Sequence, residues 1–307
     1  MRPGNWRAIV DNQKLPGFLK LCLILGYLFL YVPIISLIVY SFNDSKLVTV
    51  WGGFSVKWYG ELLEDDELLS ALWLSVKVAL SSAFAAIILG TIAGFVMARF
   101  KRFRGSTLFA GMLTAPMVMP EVITGLSMLL LFISMQQVIG VPGERGMFTI
   151  WVGHTTLCMA YVSVVVRSRL VEMDRNIEDA AMDLGARPLK IFFVITLPLI
   201  SQAIASGFLL SLTLSLDDLV TTAFLSGPGS TTLPQVIFSR VRLGLNPEIN
   251  ALGAITVLVV GTLVIVSNYL MLSSQRKKEK AIADAFRQAG DEEKSKLVGG
   301  LPAAGQA

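Results

Sequence analysis

Three carboxylates, Glu121, Asp217 and Asp218, stand within or at the ends of long apolar runs. An aspartate carried into hydrocarbon costs roughly 2.5 to 3.5 kcal/mol on insertion scales, so residues of this kind mark sites of function. Carboxylates combined with aromatic faces can replace the hydration shell of an ammonium group. Trp73, Tyr161 and Phe224 are the aromatic side chains in comparable positions. At about 100° per residue, Gln202, Ser206, Thr213 and Asp217 fall within roughly 60° of one helix face, a polar stripe able to line a pathway. Asp218 points about 100° away from that stripe, which makes Asp217 the favoured pathway residue. Some 19 residues at ~1.5 Å separate it from Pro198, about one bilayer crossing, so the pair belongs at the outer mouth. Plain solvation at the end of a span is the competing account. Glu121 follows Met119-Pro120, and Pro116 and Pro120 should disrupt the backbone beside it, giving a cation site or only a hinge.

Other chemistries find little support. The single histidine, His154, lies in an apolar run with no second ligand nearby, which favours packing or pore lining over metal binding. Cys22 and Cys158 sit far apart within apolar runs and suggest neither a disulfide framework nor a metal site. There is no phosphate-binding G-x4-G-K-[ST] loop, so ATP hydrolysis would require another chain, and no cluster of nucleophile, base and metal ligand points to an enzyme. A net charge of +4 is accounted for by bases at the ends of spans and calls for no nucleic acid.

The elements that position these residues are membrane helices. With 54% hydrophobic and 16% charged residues and a mean hydropathy of +0.66, the chain of 307 residues lies outside the range of ordinary soluble domains. Six apolar runs are long enough to span a bilayer: Leu21 to Phe42, Leu72 to Val96, Leu108 to Ile133, Phe148 to Val166, Phe192 to Leu216 and Ala251 to Leu272. The absence of period-two blocks argues against a barrel. Bases gather at the N-terminus, around Arg99 to Arg104, over Arg167 to Lys190 and over Arg276 to Lys280, which places these four sides and both termini in the cytoplasm. The expected organisation is a cytoplasmic N-terminal segment over 1–20, a transmembrane domain over 21–272 with a loop over 167–191, and a charged, then Gly/Ala-rich tail over 273–307. Gly90-x3-Gly94 should allow another helix to approach closely. The acidic first outer loop, with Trp51, Trp58 and Tyr59, offers a docking surface.

The loop between the fourth and fifth runs is the most informative segment. Leu170, Met173, Ile177, Ala181 and Leu184 recur at spacings of three and four, the stripe of a surface helix. Asn176 suits an N-cap, Asp179 the first turn, Gly185 the C′ position and Pro188 the N1 position of a second helix that runs into the fifth span. The product is a compact knob on which small Ala180 and Ala181 admit a partner's groove. Ordinary helix propensity and capping would give the same residues without any partner.

Asp179-Ala180-Ala181, Gly185, Ile195 and Leu197-Pro198 resemble the cytoplasmic signature E-A-A-x3-G-x9-I-x-L-P of ABC importer permeases. Asp179 stands in the Glu position, keeping the charge with a shorter reach, and Glu178 lies beside it. Trp51 to Leu63, Ala115 to Gly125, Ser215 to Leu219 and Leu233 to Leu252 are similar to the second permease subunit of the polyamine importers, and this likeness covers nearly the whole chain apart from its ends.

The resemblance implies an all-α integral membrane protein with the MetI-like permease fold, six transmembrane helices and a cytoplasmic coupling helix. It implies half of a pathway for polyamines, putrescine or spermidine, in the bacterial inner membrane. Partners would be a second, different permease subunit, an ABC ATPase dimer that uses ATP and Mg, a periplasmic polyamine-binding protein and membrane lipid. The chain itself would bind no cofactor and no metal. A partly re-entrant gate helix is expected after Asp218, near Leu233 to Val241, with Asn246-Pro247-Glu248 opening the last span. The pathway residues would be Asp217, Asp218, Glu121, Tyr161 and Trp73. The ATPase-coupling residues would be Glu178, Asp179, Ala180, Ala181, Gly185, Ile195, Leu197 and Pro198. Another small solute with the same drive, or an ion-coupled secondary transporter, remains an alternative.

Overall fold

The structure is a computed structural model that describes residues 17–47, 50–100, 103–243, 247–262, 264–266, 269, 272 and 273. The expected cytoplasmic N-terminus up to residue 16, the tail from 274, and Asn246 as a cap lie outside the described residues. Six helices are long and apolar enough to cross a membrane. Contacts divide the chain into two units, 1–59 with 247–307, and 60–246.

In the first unit α1 (Gly17–Tyr40) and α12 (Pro247–Val266) are the membrane-length helices. A Cβ on Gly253 would come within 2.9 Å of the Leu37 side chain, so this glycine permits the close approach. The segment after α1 is organised by buried Asn43, whose amide donates to the Val50 carbonyl (2.8 Å) and accepts from the Gly52 N–H (2.8 Å). Trp58 donates its indole N–H to the Asn43 carbonyl at 2.6 Å and is buried, and the Tyr59 hydroxyl meets Ser41 at 2.7 Å. These two aromatics hold the loop together and are not a free docking surface, in contrast to the expectation; Trp51 alone of the three stays exposed. Trp and Tyr carry a polar tip that must be satisfied when buried, and Asn43 and Ser41 supply the partners. The connection α2 (Lys57–Glu64) leads from this unit into the next.

The second unit is built on α3 (Asp66–Arg99) and α6 (Met147–Glu172), which lie side by side. Added Cβ atoms would come within 2.7 Å of Val162 at Gly90 and within 2.7 Å of the Ser163 carbonyl at Gly94. The small-residue pair therefore packs α3 on α6, as expected from its spacing. Along this seam Ala86, Ala98, Cys158, Val162, Val166, Leu170 and Ile200 form a buried core.

The third apolar run is two helices, α4 (Ser106–Val118) and α5 (Glu121–Ile139). Only α5 has membrane-spanning length, which corrects the expectation of one span over 108–133. Met119, preceding a proline, is held extended with ψ of 139°, and Pro120 has no N–H to continue the ladder. Pro116, by contrast, is accommodated inside α4.

After α6 come α7 (Asn176–Asp183), the short α8 (Pro188–Ile191), a π-helical turn over Phe192–Thr196 and α9 (Leu197–Asp217), the last three forming one continuous span. Then follow α10 (Val220–Leu225) and α11 (Leu233–Leu243). α11 is fastened to α3 at two places. The Leu233 N–H donates to Ser75 Oγ at 2.8 Å, and Arg240 pairs with Asp65 (2.5 Å) and Glu67 (2.7 Å). Arg240 holds the Asp65 carboxyl below its ordinary range, and Asp65 also caps α3 by accepting from Leu68 N–H.

Candidate functional site

The loop between α6 and α9 is a helix, a glycine turn and a second helix. At its entry Asp174 Oδ1 accepts from the Asn176 N–H at 3.0 Å, and Asn176 is the first helical residue rather than the N-cap, so the helix starts one step earlier than expected. At its exit the Gly185 N–H donates to the Met182 carbonyl (2.8 Å) and the Ala186 N–H to the Ala181 carbonyl (3.0 Å). This paired 5→2 and 6→1 pattern is a Schellman ending with Gly185 at C′, φ +84°, a conformation that a Cβ disfavours. Pro188 then opens α8 at its first position.

The surface this produces is small and apolar. Asp179 and Ala180 are exposed, Ala181 is half-buried, and Ile177, Met182 and Leu189 are exposed together with Leu184, which is 90% accessible. The expected stripe packs inward only through Leu170 and Met173, while its Ile177 and Leu184 end faces outward. Exposed apolar residues grouped on one short loop are a mark of a protein contact.

Glu178 lies on the other side of α7. Its Oε2 is 2.9 Å from Arg99 Nε, and its Oε1 accepts from Arg99 Nη2 at 2.9 Å and from Thr196 Oγ1 at 2.7 Å. It is turned into the chain and does not belong to the exposed face. Ile195 lies in the π-turn, and Leu197 and Pro198 at the start of α9, not on α7 itself. Leu197 donates to the Phe192 carbonyl five residues back, and Pro198, lacking an N–H, cannot donate to residue 194. The wide turn is thus the helix's accommodation of this proline. The first half of the motif shapes the exposed knob and its second half shapes the joint with the span.

At the far end of α9 the two aspartates separate. Asp217 is exposed, as are Gln202, Ser206 and Thr213, so the polar stripe runs along an open face of α9. Among the described residues no hydrogen bond or ion pair engages Asp217. Asp218 is withdrawn: its side chain is 5% exposed, its Oδ1 accepts from the Thr221 N–H at 2.8 Å to cap α10, and its Oδ2 lies 3.4 Å from His154 Nε2. The structure removes Asp218 from the exposed set. His154 spans the break between the helices, with Nδ1 2.6 Å from Ser215 Oγ and Nε2 2.9 Å from Thr222 Oγ1. Ser215 in turn meets Ser82 of α3 at 3.2 Å. The histidine is a packed, hydrogen-bonded residue, one of the two roles expected of it.

The remaining pathway residues stand apart. Glu121 is exposed at the first position of α5, where the helix dipole favours an anion. Trp73 is exposed and carries Lys77 Nζ 5.0 Å above its ring, while Tyr161 is half-buried in α6. Phe224 lies against Gly125, where a Cβ would come within 2.7 Å of its ring, and packs α10 on α5. Among the described residues no ion pair, hydrogen bond or ring contact joins Glu121, Trp73, Tyr161 and Asp217. Sequence reading missed the partners Arg99, Thr196, Ser215 and Thr222. Arg99 stood out only as one base in a cluster, and its pairing with a residue 79 positions away leaves no local trace.

Membrane-length helices joined by an exposed helix–glycine–helix loop define a polytopic permease subunit. The chain belongs to the family of binding-protein-dependent transport system inner membrane components, whose model matches residues 68–280. It is 59% identical over 265 residues, 86% of this chain and 94% of the relative, to the putrescine transport system permease protein PotI of Escherichia coli K12. It is 39% identical over 251 residues, 82% of this chain and 92% of the relative, to the spermidine/putrescine transport system permease protein PotC of the same strain. A crystal structure of a bacterial ABC transporter involved in the import of alginate shares the fold, with a TM-score of 0.63 at 18% identity over 82% of this chain and 93% of that one. The all-α permease architecture expected from the sequence is thereby established.

Proposed function

We propose that this chain forms half of the translocation pathway of an ATP-driven polyamine importer, with putrescine as the favoured solute. The observation that carries this reading is the 59% identity, over 86% of the chain, to a putrescine transport permease. The exposed knob from Asp179 to Gly185 supports an ABC ATPase dimer as the motor, docked on the cytoplasmic side to which the basic loops assign it. A second permease subunit would face the open polar stripe of α9, since uncovered polar groups are costly against lipid. A polyamine-binding protein would deliver solute on the opposite side.

In this scheme closure of the ATPase pair moves the knob, the π-turn passes the motion to α9, and access to the stripe alternates. Asp217, with no partner among the described residues, supplies a carboxylate for a passing ammonium group, and Glu121 a second. The test is uptake of labelled putrescine into vesicles holding the two permeases, the ATPase and the binding protein. Wild type is expected to require ATP, and Asp217→Asn, expressed equally, to slow uptake. Nucleotide-independent uptake would replace the proposal with an ion-coupled transporter. ATP-dependent uptake of some other solute alone would refute the polyamine assignment, and an unchanged rate for Asp217→Asn would remove that residue from the pathway.

A further inference from the structure

The Arg99–Glu178 pair is unusual for a charge pair at the edge of a membrane domain. Both side chains are nearly buried, at 10% and 12% exposure; Arg99 Nη2 donates to one oxygen of the carboxylate, while Nε lies 2.9 Å from the other in an ion-pair contact without hydrogen-bond geometry. Every additional bond ties in another segment. Thr196 of the π-turn donates to Glu178 at 2.7 Å, Arg99 Nη1 donates to the Leu170 carbonyl near the end of α6 at 3.1 Å, and Arg175 Nη2 donates to the Ala98 carbonyl in α3 at 2.8 Å.

The last turn of α3, the end of α6, the loop helix and the entry to α9 therefore meet on two side chains. A planar guanidinium that donates to Glu178 and to the Leu170 carbonyl together fixes both distance and orientation in a way that a point charge cannot. Displacing α7 without moving α3 and the π-turn would strip a buried charge of its partner, which is strongly unfavourable. The knob alone is held by backbone and small side chains, so this pair, with the Arg175 bond to α3, ties it to the spans.

We infer that Arg99 and Glu178, with Thr196, are positioning residues that transmit displacement of the loop helix to α3 and α9 together. On this account Glu178 acts within the permease, while Asp179 and Ala180 make the outside contact. The inference rests on the proposal that an ATPase docks on this loop.

The experiment uses the full reconstituted importer and reads three quantities: the ATPase retained on the purified permease pair, ATP hydrolysed, and putrescine taken up. Arg99→Lys keeps the charge and removes the planar donor that reaches Glu178 and the Leu170 carbonyl at once. It is expected to retain the ATPase normally and to lower uptake by roughly threefold to thirtyfold, the span of coupling effects from residues outside ligand contacts. Hydrolysis should fall less, so that more ATP is spent per solute. Thr196→Val, which spares the ion pair, is expected to shift the same ratio in the same direction by a smaller factor.

Uptake and hydrolysis that fall only in proportion to the complex assembled would overturn the inference and make the cluster a structural anchor. If Arg99→Lys does not assemble, Thr196→Val decides by the same ratio. A wild-type permease pair that retains no ATPase and transports without nucleotide would instead remove the underlying functional reading, a result distinct from any variant's.

Discussion

The two ends of α9 are fastened by different chemistry to the same two helices. At the loop end the fastening runs through an ionic pair: Thr196, just before α9, donates to Glu178, which Arg99 of α3 grips while it reaches the Leu170 carbonyl of α6. At the Asp217 end it is a relay of short polar groups, in which Ser215 of α9 meets Ser82 of α3 and His154 of α6. The ionic clamp sits beside an exposed loop, but its charges are themselves nearly buried, so its partners separate only at a large cost. The hydroxyl and imidazole network is buried among apolar helices, where an unmade bond has no substitute. One end is thus built to carry a load, and the other to hold a bend between α9 and α10.

Truncation should expose this difference. Arg99→Ala leaves Glu178 almost buried and unpaired, and is expected to destabilise the protein by about 3–5 kcal/mol. His154→Leu removes the bridge between Ser215 and Thr222 but leaves Ser215 its contact with Ser82 and Thr222 its bond to the Asp218 carbonyl. About 1–3 kcal/mol is expected for it. Thermal unfolding of purified protein in nanodiscs orders the two. A larger loss for His154→Leu would reverse the comparison and make the buried network the principal anchor.

What could be read from the sequence divides along the same line. Features set by neighbours in the chain were legible: the Gly185 turn, Pro188 at a helix start, the disruption at Pro120 and the closely packed Gly90 and Gly94. The break at Met119 shortened α4, because a residue before proline turns extended, but the proline itself announced it. Features set by distant pairing were not. Glu178 was grouped with the ATPase-coupling residues because it neighbours Asp179, whereas a helix turn of about 100° per residue directs the two side chains to different faces. Asp218 and His154 are each ordinary in local context, and their meeting depends on how α6 and α9 pack. The amphipathic stripe was legible as one face of a surface helix; the 90% exposure of Leu184 shows that periodicity identifies an apolar face without saying what covers it.

The turn at Gly185 gives a finer contrast, since it belongs to the loop end but carries no charge. A Cβ there would meet nothing within 4 Å, so substitution acts through backbone strain alone. Gly185→Ala is expected to cost of order 1–2 kcal/mol in the αL conformation, and Gly185→Asn less, because Asn enters that region more readily. ATPase retention should follow the same order, with Asn above Ala. Equal losses in the two variants would show that the turn's handedness is not what presents the knob, leaving the Arg99–Glu178 clamp as the sole local determinant.

The smallest expected effect concerns a second ionic tie, Asp65 with Arg240, which links α11 to α3. Asp65 has a depressed carboxyl pKa chiefly because Arg240 hydrogen-bonds it. A carboxyl whose folded pKa lies below its unfolded value contributes stability above the unfolded value and loses it as pH falls through the folded one. Asp65→Asn preserves the cap to Leu68, since Asn serves equally at that position, and removes only the charge. The stability difference between wild type and Asp65→Asn should therefore be constant from neutral pH to about pH 5 and shrink only below the ordinary carboxyl value of 3.8. Glu67, which also pairs with Arg240, keeps α11 attached in the variant, so the difference is modest. A difference that closed between pH 7 and pH 5 would mean that a group of higher pKa governs this tie.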